Sequence, residues 1–597
     1  MVNIQSKTDC CGCKSCGDAC SQHAISFCTD NEGFWYPKVD EIKCTNCHVC
    51  ERVCPIIRIN ELKKNDLSIP VCYAAEHKNL EVVFDSTSGG LFSAMAETIY
   101  KNGGYVGGAV FNDDFSVAHF ISNDKKDLPR LRSSKYLQSD LTGFYRQVKV
   151  LLQEGNTVLV CGTPCQMAAL RAFLNKGYDN LIILDFVCRG VNSPKVWKKY
   201  LESLEERYNS KVVYSKAKSK EFGWRKLTQK VVLENGKSIY ETYEKSDFTK
   251  GYLNTNVFCR PSCYHCKFKG YPRIADITLG DFWGIKRKDP TFDKDLGTSL
   301  VIINSKKGET FFDRIKQRIK YIAIDFESAK NGNNCLNKSI APPKVNRSDF
   351  FRDLDTYSFD VVAEKYIRPF DNTFKKKIRN LLHFGYRFIK TTQLRPFPIF
   401  RFFKYNSLKD IYKGDVIITA PYTIIKKEKG AKIKKKGVTR LGCKRFKSSK
   451  QETRLLLEKG STLSLNGNII IGYGADIEIL KGGILKIGDG VTMNIGTTIV
   501  CKDRVEIGNN TMIGRHVTIR DNNGAHYLNR SGYKNSRPVI IGDKVWLCEQ
   551  STVMPGVQID DSAIVSALSF VIGPVKKNTV VSGNPAHVVD EDILWKC

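Results

Sequence analysis

From Ile495 onward, apolar residues return every six positions. Ile495, Cys501, Ile507, Ile513 and Ile519 share one register, and Ile541, Leu547, Val553, Ile559, Val565 and Val571 resume it. Six is neither the helical period nor the alternation of a simple strand. It means one short strand and one turn per flat side of a triangular prism, three sides to a coil. Each side needs one inward aliphatic residue, and the turns favour Gly, Asn or Asp. Gly496, Gly508, Gly514 and Gly542 directly follow core positions. The pattern predicts a left-handed parallel β-helix over residues 415–597, with weaker coils beginning near Leu463. One 22-residue step, from Ile519 to Ile541, breaks it and throws out a loop over 520–540 that carries His526.

Upstream the pattern changes to buried strands (71–76, 158–161, 181–187) alternating with helices, which predicts an α/β layer domain over 70–330. Two strand-to-helix turns stand out: Ser86-Thr87-Ser88-Gly89-Gly90 and Gly162-Thr163-Pro164-Cys165-Gln166. Small residues ahead of a helix leave N–H groups that either hold a phosphate or are simply capped. Residues 331–414 form a link. Within it, 373–406 holds nine Lys and Arg and no acid, with Phe374, Ile378, Leu381, Leu382, Phe388 and Ile389 at helical spacing. Such a basic amphipathic helix either packs between domains or lies on an anionic membrane surface.

A chain of 597 residues is too long for one core, so several domains are expected. The net charge of +31 invites a nucleic-acid or membrane-surface reading. No nucleic-acid-binding signature accompanies it, so no nucleic-acid partner is expected and most lysines read as solvated. Twenty-two cysteines, an N-terminus without an apolar signal segment and the absence of any 18-residue apolar run predict a cytoplasmic protein. Contact at the inner membrane face is the one extension of that expectation.

The cysteines carry the chemistry. Cys10, Cys13, Cys16 and Cys20 read C-x2-C-x2-C-x3-C, and Cys44, Cys47, Cys50 and Cys54 repeat the spacing before Pro55. Three thiolates on a tight turn hold three irons of a cubane, and the fourth reaches the other cluster. Cys10, Cys13, Cys16 and Cys54 then bind one 4Fe-4S cluster, and Cys44, Cys47, Cys50 and Cys20 the second. A zinc or disulfide framework is the competing reading, and it has no use for the fourth cysteine of each run. Cys11 and Cys28 have no role in either. Further on, Cys259, Cys263 and Cys266 form C-x3-C-x2-C and need a fourth ligand, for which Cys188 is the candidate; zinc is again the alternative.

The first 60 residues resemble bacterial two-cluster ferredoxins, down to Gly33-Phe34 between the halves, with Ser21 where the first run usually has Pro. STSGG, GTPCQ, CRGVNSPKVW, CRPSCYHCKF and DITLGDFWG resemble the coenzyme F420 hydrogenase and dehydrogenase β-subunit family over 70–330. That resemblance implies an oxidoreductase with a flavin such as FAD and a third cluster at Cys188, Cys259, Cys263 and Cys266. It also implies an electron-donor or acceptor protein or coenzyme as partner. Ser88, Gly89, Gly90, Lys135, Gly162, Thr163 and Pro164 are its candidate flavin contacts. Arg189 and Asn192 depart from that family's usual His and Pro.

The C-terminal domain resembles hexapeptide-repeat sugar acetyltransferases through DNNGAH, PVIIGDKVW and SGNPAHVV. This implies a homotrimer, acetyl-CoA as acyl donor, a sugar acceptor and His526 as general base. Cys548 and Ala567-Leu568 depart from that pattern. The expected whole is a multidomain chain: an α+β two-cluster ferredoxin module, an α/β flavin-binding domain and the β-helix. It is read as a bifunctional oxidoreductase and O- or N-acyltransferase of surface polysaccharide synthesis. The alternatives are a β-helix that only trimerises the redox half, or an electron-transfer subunit serving a partner enzyme.

Overall fold

A computed structural model describes residues 2–4, 6–62, 66–67, 69–371, 374–446, 448–526, 528–529 and 531–596, with the side chains of 371–380 excepted. The basic side chains expected at 375–379 therefore lie outside the described residues. The chain divides into two compact units, Met1–Asn372 and Thr373–Cys597.

The first unit opens with an antiparallel hairpin, Ile25–Thr29 against Trp35–Val39. Two short helices, Ser15–Ala19 and Val49–Arg52, flank it. Next to this module lies an eight-stranded mixed sheet. Its parallel centre runs Tyr105–Phe111, Val158–Gly162, Leu181–Phe186 and Ile277–Asp281. Antiparallel strands complete both sides: Val117–Ser122 on one, and Ser299–Ile303, Val71–His77 and Ile319–Ile324 on the other. The central strands Val158–Gly162 and Leu181–Phe186 are almost wholly apolar and buried, as strands covered on both faces must be. A smaller antiparallel sheet is formed by Val212–Ser219, Thr228–Leu233 and Ser238–Glu241. The carboxyl ends of the parallel strands, where open α/β sheets place their sites, carry Gly162 and the turn that leads to Cys188.

The second unit is a three-faced parallel β-helix of nine-, seven- and six-stranded sheets. Its interior is the column foreseen from the period: Cys501, Ile507, Ile513, Ile519, Ile541, Leu547, Val553, Ile559, Val565 and Val571 are all buried in one core, whereas Ile495, expected to open the column, is only half-buried. Coils begin at Val416, well before Leu463. The early coils escaped the six-residue pattern because their strands are longer. Thr423–Lys427 and Thr462–Asn466 have five residues, whereas Trp546–Leu547 and Ile564–Val565 have two. From Trp546 to Ile564 one coil takes eighteen residues, three sides of six.

The open edge of the first coil is covered by the helices Phe374–Thr392 and Pro396–Tyr405. Asn406 closes it like a missing strand: its Nδ2 donates to Ile417 O (2.8 Å) and its Oδ1 accepts from Ile417 N (2.9 Å). Phe402 packs with Val416 and Ile418, with Phe384 and Phe388 beside them. The link helix thus packs on the β-helix along one face.

Leu547 is fully buried in the prism. Leu547→Ala is expected to cost about 2–5 kcal/mol, from lost transfer energy and the cavity left behind. Hydrogen exchange of peptides from 416–590 should accelerate accordingly, while peptides of the first unit keep their protection.

Candidate functional site

The two N-terminal cysteine runs use one backbone device twice. Lys14 (φ 64°, ψ 5°) and His48 (φ 58°, ψ 11°), each one residue after the second cysteine of its run, take the left-handed conformation just before a short helix. For residues with a Cβ this costs on the order of 1 kcal/mol, so its repetition marks a turn that the cysteines require. Cys10, Cys13, Cys16 and Cys54 line one small cavity with Cys11. Burial, then the neighbouring thiols of Cys13, Cys10 and Cys54, push Cys16 well above the ordinary thiol value. Burial and the nearby Cys13 and Cys10 push Cys54 up to about 11. Of the second expected set, Cys50 is buried and accepts from Val2 N (3.2 Å), Cys20 accepts from Ala24 N (3.3 Å), and Cys47 is exposed. Among the described residues, no three His, Cys, Asp or Glu side chains are arranged to hold a single metal ion.

A second cavity is lined by Cys11, Cys165, Cys188, Cys263, Cys266 and Cys335, among other residues. Cys165 stands at the second position of the helix Pro164–Leu174, and Cys188 follows the neighbouring strand. Burial, with Cys263, Cys165 and Cys266 nearby, holds the Cys188 thiol well above its ordinary value, and burial pushes Cys263 up to about 12. Cys259 does not line this cavity. Its thiol donates to Asn192 Oδ1 (3.5 Å), inside a cluster with Tyr252, Phe258 and Phe350. The structure therefore groups Cys188, Cys263 and Cys266 with Cys165, which the sequence presented only as part of a helix start. Cys11, without a role in the sequence, lines both cavities, and the neighbouring Cys13 and Cys165, with burial, hold its thiol well above the ordinary value.

Arg260 ties the module to the sheet. With no exposed surface, it donates to Cys10 O (2.9 Å), Gln138 Oε1 (2.8 Å) and Trp35 O (3.0 Å), and lies over the Tyr36 ring at 4.4 Å. Asp18 accepts from Gly143 N (2.7 Å), Tyr145 donates to Cys13 O (3.0 Å), and Arg347 clasps Glu32 with two bonds of 2.8 Å.

Four of the seven expected flavin contacts have hydrogen-bond partners within the protein. Gly89 N donates to Ser299 Oγ (2.9 Å), and Ser88 Oγ to Thr298 O (2.9 Å). Gly89 is glycine because the backbone passes against Ala75 O and Ser299 N, where a side chain would clash. Gly90, left-handed at φ 83°, starts its helix. Thr163 N is taken by Gln166 Oε1 (2.9 Å) in a capping box, with Pro164 at the first helical position. The Lys135 ammonium is buried and donates to the carbonyls of Arg130, Arg132 and Ser133 at 2.7–3.1 Å, and burial brings its pKa down to about 7. Gly162 lies against Met167, Gln166 and His119.

Sequence reasoning missed the cations of Tyr214-Ser215-Lys216-Ala217-Lys218-Ser219-Lys220. Lys216 pairs with Asp85 (2.6 Å) and Lys218 with Asp281 (2.8 Å). Lys218 also lies 4.9 and 4.6 Å from the stacked rings of Trp224 and Trp283. The alternation of Lys along this strand was the available signal.

In the second unit, the loop after Thr518–Arg520 is pinned at its root. The buried Asp521 carboxylate accepts from Lys502 N (2.7 Å) and Asp503 N (2.8 Å) of the coil before it. Asn522 pairs with Ser536, and Arg537 N returns to Asp521 O (2.8 Å). His526 is exposed on this excursion. Cys548 is half-buried on a later coil, and burial pushes its thiol up.

Residues 155–328 match the family described as the C terminus of the coenzyme F420 hydrogenase/dehydrogenase beta subunit. The chain joins that region to one similar to hexapeptide-repeat acetyltransferases. Over 155 residues it is 28% identical to WbbJ of Escherichia coli (strain K12), named as an O-acetyl transferase of lipopolysaccharide biosynthesis, covering 24% of this chain and 79% of that protein. Over 112 residues it is 33% identical to the galactoside O-acetyltransferase of the same organism, covering 18% of this chain and 55%, about half, of that one. A solved structure of the F420-reducing NiFe hydrogenase complex from Methanosarcina barkeri aligns at 18% identity and a TM-score of 0.32, covering 46% of this chain and 90% of that one.

His119 supplies a pH test. Its Nδ1 bonds Ser139 Oγ (2.9 Å), which accepts from Gln166 Nε2 (2.8 Å), and burial lowers its pKa from 6.5 to about 4. The unfolded chain binds this proton first, so stability is present above pH 6.5 and falls as pH drops toward 4, by about 3 kcal/mol in total. His119→Asn should flatten that slope against the native protein when hydrogen exchange of 158–187 is followed across this range.

Proposed function

We propose that the chain combines an iron–sulfur oxidoreductase unit with an O- or N-acyltransferase that modifies a sugar during surface polysaccharide synthesis. The carrying observation for the transferase is the long excursion over 520–540, pinned by Asp521 and presenting His526, in a region related to O-acetyltransferases. A sugar hydroxyl is a weak nucleophile at neutral pH. His526 accepts its proton as the oxygen attacks the thioester carbonyl of acetyl-CoA. A C–O bond forms, the C–S bond breaks, and the proton passes to the departing thiolate. A second copy in a homotrimer completes the site.

In the redox unit, three sets of thiols would hold clusters. Cys10, Cys13, Cys16 and Cys54 suit one 4Fe-4S group, and Cys165, Cys188, Cys263 and Cys266 another, with Cys20, Cys44, Cys47 and Cys50 for the remaining one. When bound, such clusters pass single electrons. The protein supplies thiolates, burial that excludes water, and the Arg260 cation beside Cys10, Cys13 and Cys263. A flavin stays among the cofactors that the β-subunit resemblance implies, with Ser88, Gly89, Gly90, Lys135, Gly162, Thr163 and Pro164 as its candidate contacts, and no step is routed through it.

Anaerobically purified protein should carry about twelve irons per chain. Cys165→Ser should remove about four of them, while Cys259→Ser leaves the count unchanged. Stoichiometric zinc without acid-labile sulfide would reject the redox reading.

His526→Ala should lower acetyl transfer from acetyl-CoA to a sugar acceptor by about 10²–10⁴-fold, the usual contribution of a positioned base. Light scattering and iron content should not change. Transfer that persists at the native rate would leave the β-helix as a scaffold only.

A further inference from the structure

The helices that close the first coil present a second face. On Phe374–Thr392, Phe384 and Phe388 turn toward the coil, while Leu382, Tyr386 and Ile389 point away and are 69, 60 and 53% exposed. These three are spaced i, i+4, i+7, one continuous row on a helix. On Pro396–Tyr405, Pro398 and Phe402 are buried, and Phe397, Phe400 and Phe403 are 77, 66 and 63% exposed. Leu394 between the helices, and Leu408 and Tyr412 just beyond, are also exposed. A solenoid cap normally turns a polar face outward. This one turns out aromatic and aliphatic side chains, and contiguous exposure of that kind marks a binding surface.

The exposed charges along this stretch of chain have one sign. Lys390, Arg395, Lys404, Lys409 and Lys413, on the same helices and turns, are exposed. The only acid between 381 and 413 is Asp410, which is paired with Lys435 at 2.8 Å. We propose that this face docks on an anionic lipid bilayer: the apolar row enters the headgroup–acyl boundary and the cations meet lipid phosphates. Charge complementarity selects this occupant. A surface built to meet a second copy of itself would set these cations against one another, whereas an anionic membrane accepts all of them, and Phe and Tyr tips beside Lys and Arg are the composition of an interfacial helix. The proposal needs neither the redox nor the transferase reading.

The test is flotation of the full-length protein with vesicles of phosphatidylcholine, with or without phosphatidylglycerol, at low and high salt. The native protein should float with the anionic vesicles only, and less at high salt. The triple variant Phe397→Ser, Phe400→Ser, Phe403→Ser leaves the net charge of +31 untouched. Its bound fraction should fall on the order of tenfold or more, with unchanged circular dichroism. If that variant misfolds, Lys390→Glu with Arg395→Glu and Lys404→Glu should abolish the preference for anionic vesicles instead. The proposal is overturned if the native protein stays unbound. It is equally overturned if the serine variant floats like the native protein, which would make binding a general effect of basic charge. It also fails if the serine variant changes oligomeric mass while keeping its vesicle binding, which would make the face a contact between copies.

Discussion

The N-terminal unit depends on a buried cation. Arg260 has no exposed surface, and its three acceptors are neutral oxygens from three different parts of the chain. Burying a guanidinium without an opposing charge is expensive. Here three hydrogen bonds and two nearby aromatic rings compensate, with the sulfurs of Cys10 and Cys263 close by. Burial pushes the thiols of Cys10 and Cys263 up, and Arg260 pulls both back toward ionisation from its place between the two groups of cysteines. The residue that fastens the small module to the sheet is thus the one that favours thiolates on each side of the joint. Docking and ligand ionisation become one problem, solved by one side chain.

Cys11 adds to that joint. It contacts Cys13 from one thiol set and Cys165 from the other. The two cysteine groups are brought together by packing the hairpin module against the carboxyl ends of the parallel strands. The sheet contributes Cys165 and Cys188 from adjacent strands, so its topology and the thiol geometry are inseparable.

What the sequence made legible followed from how local each constraint is. The spacing of the cysteine runs and the six-residue period are short-range rules, and the buried column Cys501, Ile519, Leu547 and Val565 was readable directly. The first coils were not, because strands of four and five residues spoil the period while preserving the prism. Cys165 and Cys259 show the limit for the site. Both are cysteines near others in the sequence, but only the fold decides that Cys165 turns into the cavity and Cys259 toward Asn192. Thr163 and Gly89 show it again: a Gly- or Thr-led helix start looks the same whether its N–H groups await a ligand or are already used by Gln166 and Ser299. Arg260 gave no signal at all, since a lone arginine between cysteines does not reveal that it will be buried.

The β-helix also acts as a ruler. Its strands stack in register, and on the face that carries the excursion the strands Thr423–Lys427, Thr453–Leu457, Asp476–Ile479, Thr498–Cys501 and Thr518–Arg520 succeed one another. Four steps of about 4.8 Å set the His526 loop roughly 19 Å along the axis from the first coil. Coils are added or lost only whole, so this distance changes in discrete jumps and hardly at all by bending. Whatever bridges the capped end and the loop must therefore span a fixed gap, so length alone decides what can reach from one to the other.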